Sequence, residues 1–385
     1  MRNVHAVNET RIFENEFIMS TNQFSSHDFS QLPNYAQRQM FLDKGGRVTI
    51  QRYDDYAFPR LNKYDETQRG FFWVPDEITL IKDKIDFKNA NEATRHIFTS
   101  NLLRQTALDS IQGRSPVECF LPVCSVPELE SLVMTWSFFE TIHSRSYSHI
   151  IRNIYNSPTE EFNRIHDTSE IVSMAASIGK YYDDLYVLNC RKVLGLEVSE
   201  YEHVKAVWLA LVASYGLEAI RFMVSFATSL GMVENKIFIG NGNIISLILQ
   251  DELLHTDWTA WLMNTVSTHD ERFRQVRQDC HQEALGILLQ VIAEEKQWAQ
   301  YLFQKGVVLG LNAPIMESFV DWTAHQRLKQ VGFDYPITSK TTPLPWFNKH
   351  LNTNKKQTAL QENESTSYVV GAMTSDIDYD QLPQL

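Results

Sequence analysis

The sequence predicts an all-α protein, and three observations predict it. Apolar residues recur at the spacing of helix faces, as in Leu132, Val133, Trp136 and Phe139. Strand-like alternation is weak throughout. Gly and Pro fall between the periodic stretches, where Gly113, Pro116, Gly195 and Gly332 stop helices. With 385 residues, 43% hydrophobic and 12% aromatic, the chain can bury a large core. All-helical folds reach this length as one domain.

Residues 1–50 are polar and rich in Asn, Gln and Ser, end at Gly45-Gly46, and read as an arm with little structure of its own. A helical domain spans 51–350. Phe58-Pro59 opens its first helix, which runs to Phe71-Phe72-Trp73 and is closed by Pro75. Three adjacent aromatics at a helix end read first as a core anchor. Asn91 to Gln112 carries Ile97, Leu102, Leu103 and Ile111 on one side, with Asp109 among them. Pro127 opens a long helix to about Tyr155, and residues 159–195 form the next.

Ser199 with Glu202 three residues on forms a capping box. The helix it starts runs past Leu209, Leu217 and Ile220 to Gly231, with Glu218 in its apolar face. Gly240-Asn-Gly242 marks a turn before a helix from Ile244 to about Met263. Two further helices are expected near 269–304 and 312–331, before Gly332, Pro336, Pro343 and Pro345 end regular structure. From 351 to 385 the composition shifts to a disordered acidic tail. Its Tyr368, Val369 and Val370 suggest a segment that docks on something.

The net charge of −12 excludes a general nucleic-acid surface. No membrane helix is expected, because Glu218 and Arg221 interrupt the best apolar run, Val207 to Phe226. The N-terminus is too polar for a secretory leader, and Cys119, Cys124, Cys190 and Cys280 form no paired motif. These features point to a reduced, cytoplasmic compartment.

The chemistry lies in acids on apolar helix faces. Glu140 and His143 are three apart and share a face, with Tyr147 one turn further on. Glu252 and His255 repeat the Glu-x-x-His pattern in an equally apolar segment. A single match is weak: Glu200-x-x-His203 also fits, but it sits at a polar helix start and reads as solvated. Two apolar copies with two lone acids, Asp109 and Glu218, are a stronger signal. One carboxylate from each of two helices and Glu-x-x-His from each of two more is the inward-facing ligand set of ferritin-like di-iron and di-manganese bundles. Four carboxylates carry −4 and two divalent ions +4, so a loaded site is neutral. Left empty, such buried charges would cost several kcal/mol each. Oxygen and nitrogen donors suit iron or manganese.

These residues resemble the small (beta) subunit of class I ribonucleotide reductase, nearest the bacterial and phage class Ia type. The blocks are Ala107-Leu-Asp-Ser-Ile-Gln-Gly-Arg-Ser-Pro116, Glu140-Thr-Ile-His-Ser-Arg-Ser-Tyr-Ser-His-Ile-Ile-Arg-Asn153, Leu217-Glu-Ala-Ile-Arg-Phe222 and Asp251-Glu-Leu-Leu-His255. Phe71-Phe-Trp-Val-Pro75 and Ser367-Tyr368-Val-Val-Gly371 also fit, and the likeness covers roughly residues 50 to 385. The resemblance implies a ferritin-like homodimer. In it Asp109, Glu140, His143, Glu218, Glu252 and His255 hold two irons, or manganese, that use O2 to oxidise Tyr147 to a tyrosyl radical.

It further implies an apolar pocket of Phe222, Phe226 and Ile248 around the radical. The outward route would run through Asp251 and Trp73 to Tyr368, and the tail end Asp380-Gln-Leu-Pro-Gln-Leu385 would dock on the catalytic large subunit. Met223, Gln250 and Phe139 depart from the family pattern, and Gln250 leaves open what bonds around Trp73. A di-iron oxidase of the hydroxylase or desaturase type is the alternative enzyme class, and an iron-storing protein the non-enzymatic one.

Overall fold

The computed structural model describes residues 34–351 apart from 309 and 338; the tail, Tyr368 included, lies outside the described residues. Among them the fold is all-α, with β structure limited to two isolated bridges, Phe41 to Cys124 and Val308 to Leu311. Residues 34–50 form one short 3-10 turn, and Met40, Phe41 and Val48 are buried.

The helices follow in order: α1 Pro59–Arg69, α2 Ile81–Asn89, α3 Glu92–Gln112, α4 Pro127–Ile154, α5 Pro158–Asp167, α6 Ser169–Val193 and α7 Glu200–Gly216. Then come α8 Met223–Glu234, α9 Ile239–His269, α10 Glu271–Asp279, α11 His281–Phe303 and α12 Ala313–Gln330. Their starts have local causes. Proline opens α1, α4 and α5, where its missing N–H is not needed. Asn91, Ser199, Asp270 and Asn312 each accept a backbone N–H from the first turn of their helix.

Four expectations are corrected. The stretch near 269–304, expected as one helix, is two, α10 and α11, parted at Cys280. The stretch 159–195 is two helices, α5 and α6, because Thr168 is extended between them. The single helix expected to reach Gly231 is interrupted by a π-turn, Leu217–Arg221, between α7 and α8. Gly240-Asn-Gly242 is not a turn; it lies in the first turns of α9, and the chain reverses before it through Lys236 and Phe238 at positive φ. Those glycines serve close packing: a Cβ on Gly240 would lie 2.5 Å from the Thr79 carbonyl, and one on Gly242 2.0 Å from Val233. Asp83 of α2 caps this end of α9, accepting from the Gly240 and Asn241 N–H groups.

α4 packs against α1, α3 and α9, and α9 also packs on α7 and α8. The four acid-bearing segments, α3, α4, the π-turn and α9, therefore enclose one interior. The run Glu200–Glu234 is long and apolar enough to cross a membrane, but its most apolar window is wholly buried inside the protein.

Candidate metal centre

The six predicted ligands converge, and all six are fully buried. Asp109, Glu140, His143 and Glu252 form one group, and Glu140, Glu218, Glu252 and His255 a second, with donor atoms in each group within 4.8 Å of one another. Glu140 and Glu252 belong to both groups, so the arrangement is two adjacent positions with two shared carboxylates. His143 Nδ1 lies 3.2 Å from Glu252 Oε1 and 3.5 Å from Glu140 Oε2. His255 Nδ1 lies 3.0 Å from Glu140 Oε1 and 3.7 Å from Glu252 Oε2.

Hydrogen bonding shows that these atoms fit a cation. Both oxygens of Asp109 and of Glu252, one oxygen each of Glu140 and Glu218, and Nδ1 of both histidines are buried without a hydrogen-bond partner. Such atoms normally find partners, and each orphan costs free energy. Here the orphans all face each other. The donor set, four carboxylates and two imidazoles, suits iron or manganese.

The electrostatics agree. Burial, then the charge of Glu140, pushes the Asp109 carboxyl well above its ordinary range. Burial likewise raises Glu218. Burial also opposes charge on Glu140, but His143 and His255 outweigh it and hold that carboxyl down to about 2. Burial disfavours protonated histidine, yet the surrounding carboxylates raise both imidazoles well above 6.5. Without metal, then, the interior retains protons in place of cations, and metal entry must release them.

Neighbouring donors orient these side chains. Trp136 Nε1 donates to Glu218 Oε1 at 2.8 Å and to Glu140 Oε1 at 3.2 Å. Gln112 Nε2 donates to Glu218 Oε1 at 2.6 Å, while its Oε1 accepts from the Tyr182 hydroxyl at 2.7 Å. Sequence reasoning placed Trp136 only in an apolar stripe and did not single out Gln112 or Tyr182. The signal was present in part: Trp136 lies four before Glu140, and Gln112 three after Asp109.

Residues 53–343 match the family described as ribonucleotide reductase, small chain. The chain belongs to this family. Among small-chain relatives, the ribonucleoside-diphosphate reductase subunit beta of Buchnera aphidicola subsp. Schizaphis graminum is 41% identical over 376 residues, 93% of this chain and 97% of the relative. The ribonucleoside-diphosphate reductase 1 subunit beta of Escherichia coli O157:H7 is 40% identical over 92% of this chain and 97% of its own, and the ribonucleoside-diphosphate reductase subunit beta of Enterobacteria phage T4 is 37% identical over 88% and 93%. Among solved structures, the R2 subunit from Clostridium botulinum shares the fold at TM-score 0.71 and 19% identity, covering 82% of this chain and 94% of that one. The dimanganese(II)-NrdF of Streptococcus sanguinis matches at TM-score 0.64 and 18% identity, over 78% and 98%. As a ribonucleotide reductase small chain, the protein is part of an oxidoreductase that works with a large subunit.

The remaining residues that the sequence singled out are placed as follows. Tyr147 is fully buried, its hydroxyl makes no hydrogen bond of standard geometry, and burial followed by the Asp109 charge pushes its pKa well above 10. Asp251 accepts from His143 Nε2 at 3.1 Å and from Trp73 Nε1 at 2.9 Å, both on Oδ2. Its Oδ1 accepts from Gln68 Nε2 at 3.3 Å, so Gln68 bonds at the place where Gln250 had left the pattern open. Trp73 and His143 stack with centroids 6.3 Å apart. Phe222, Phe226 and Ile248 are fully buried, and the two phenyl rings stack at 5.2 Å.

His203 was expected to be solvated and is not. It is 3% exposed, its Nε2 lies 2.7 Å from Asn189 Oδ1, and burial lowers its pKa to about 4. Packing of α7 on α6 covers His203, whereas Glu200, one turn earlier, stays exposed and pairs with Arg272.

Proposed function

We propose that this chain is the radical-generating subunit of a ribonucleoside-diphosphate reductase, active with its large subunit. The observation that carries the reading is the pair of orphaned donor clusters beside a sealed phenol. Asp109, Glu140, His143 and Glu252 would hold one ion, and Glu140, Glu218, Glu252 and His255 the other. The ions, iron or manganese, would supply the oxidising power drawn from O2.

The protein's part is to place and protect. With Nδ1 of His143 aimed at the cluster, its Nε2–H donates to Asp251, which fixes the tautomer. Tyr147 remains a neutral phenol at rest because burial and the Asp109 charge oppose its ionisation. When it loses an electron, its proton must leave as well, since a cationic radical in this dry interior is unfavourable. Asp109, whose carboxylate charge acts on the Tyr147 hydroxyl, is positioned to accept it. The hydrogen bonds from His143 through Asp251 to Trp73 give the oxidising equivalent an outward route. Tyr368 and the segment Asp380 to Leu385 would complete it at the large subunit, in a cytoplasmic homodimer.

The test is to add ferrous iron and O2 to metal-stripped protein and record the EPR spectrum. A tyrosyl signal that is lost in Tyr147→Phe is expected; a signal unchanged in that variant refutes the assignment. Removing residues after Lys356 should leave the signal intact but abolish reductase activity with the large subunit.

A further inference from the structure

A second buried charge cluster lies behind the metal centre, and the metal chemistry does not use it. It holds the π-turn that carries Glu218. Glu295 on α11 is fully buried; its Oε1 accepts the Val224 N–H at 3.0 Å, just after the π-turn, and its Oε2 accepts from Arg104 Nη2. The Arg104 guanidinium lies 4.7 Å over the Trp298 ring, whose Nε1 donates to Ser225 Oγ at 3.2 Å. One residue before Glu295, Glu294 pairs with Arg221, the last residue of the π-turn. One face of α11 therefore grips the chain at Arg221, Val224 and Ser225.

Two physical points give this grip a purpose beyond stability. A π-turn is a rare, weakly favoured conformation that persists where its surroundings hold it. A first-turn N–H also needs an acceptor from outside its own helix, and Glu295 supplies one to Val224. A buried ion pair, by contrast, adds little stability over apolar residues of the same size. Glu218 belongs to only one of the two donor clusters; nothing from the π-turn enters the group of Asp109, Glu140, His143 and Glu252. A shift of this turn must therefore alter one metal position and leave the other in place.

We propose that Glu295 and Glu294 of α11 are positioning residues that lock the π-turn so that Glu218 completes the second metal position, setting that ion's affinity apart from the first. The proposal rests on the di-metal reading above. It is tested by titrating the full-length, metal-stripped chain with Mn(II), following the EPR signal of free Mn(II), alongside thermal unfolding. The double variant Arg104→Met with Glu295→Gln removes the buried charges but keeps an oxygen for Val224; Arg104→Met with Glu295→Met removes that acceptor too.

The Gln pair should bind its two ions as wild type does. The Met pair should lose at least about tenfold (about 1.4 kcal/mol) at one ion and less than about twofold at the other. Glu294→Gln, at a less buried position, should weaken the same ion about threefold, which keeps the test open should the Met pair not fold. Equal weakening of both ions, or none in folded variants, overturns the proposal alone. Fewer than two ions in wild type overturns the di-metal reading, and the proposal with it.

Discussion

Asp251→Asn tests how the metal centre is tied to Trp73. Asp251 Oδ2 accepts from both Trp73 and His143, and Oδ1 from Gln68. An asparagine keeps two of these bonds if its oxygen takes the Oδ2 place, which puts its NH2 against Gln68. Gln68 can answer by flipping its amide, because its Oε1 is buried without a partner. The flip only exchanges an unpaired oxygen for an unpaired nitrogen.

The net loss is the charge assistance of three bonds, about 1 kcal/mol each, so Asp251→Asn should cost roughly 3 kcal/mol. Asp251→Ala instead orphans three buried donors at about 1–3 kcal/mol each and should cost roughly 5 kcal/mol. Urea unfolding of the metal-free variants measures both. Combining Asp251→Asn with Gln68→Leu leaves the new NH2 without an acceptor, so the pair should be less stable than additivity allows by about 1 kcal/mol or more. Equal losses for Asn and Ala, or additivity within about 0.5 kcal/mol in the double variant, would refute this account of the linkage.

Metal should stabilise the fold through its orphaned donors. With Mn(II) or Fe(II) at about 100 times Kd for both positions, binding contributes about 2.7 kcal/mol per ion. For a body of this length that raises Tm by about 8 °C by calorimetry; a Tm indifferent to metal would contradict the ligand assignment. His203 supplies a pH test. Its folded pKa of about 4 lies below 6.5, so the unfolded chain takes up a proton that the folded one refuses. This contribution is fully present above 6.5 and is lost as pH falls toward 4. Relative to His203→Gln, wild type should lose about 2 kcal/mol between pH 7 and pH 5 in denaturant titrations. Parallel profiles for the two proteins would show that His203 is solvated after all.

The sequence alone determined the fold class, the family and the six carboxylates and imidazoles that the fold buries together. Helical periodicity is a local property, and Glu-x-x-His on an apolar face reads as inward-facing without coordinates. Helix starts were legible for the same reason, since Asn91, Pro127 and Ser199 act on their own first turns. What lay beyond the sequence depends on contacts between distant segments.

His203 looked solvated because its neighbours in the chain are polar, but α6 covers it. The glycines at 240 and 242 looked like a turn, whereas the approach of Thr79 and Val233 is what requires them. The π-turn at Glu218 has no local signature; its links to Glu294 and Glu295 come from a helix some seventy residues further along the chain. Tertiary packing decided those features, because a buried charge or a missing Cβ is explained only by what lies against it.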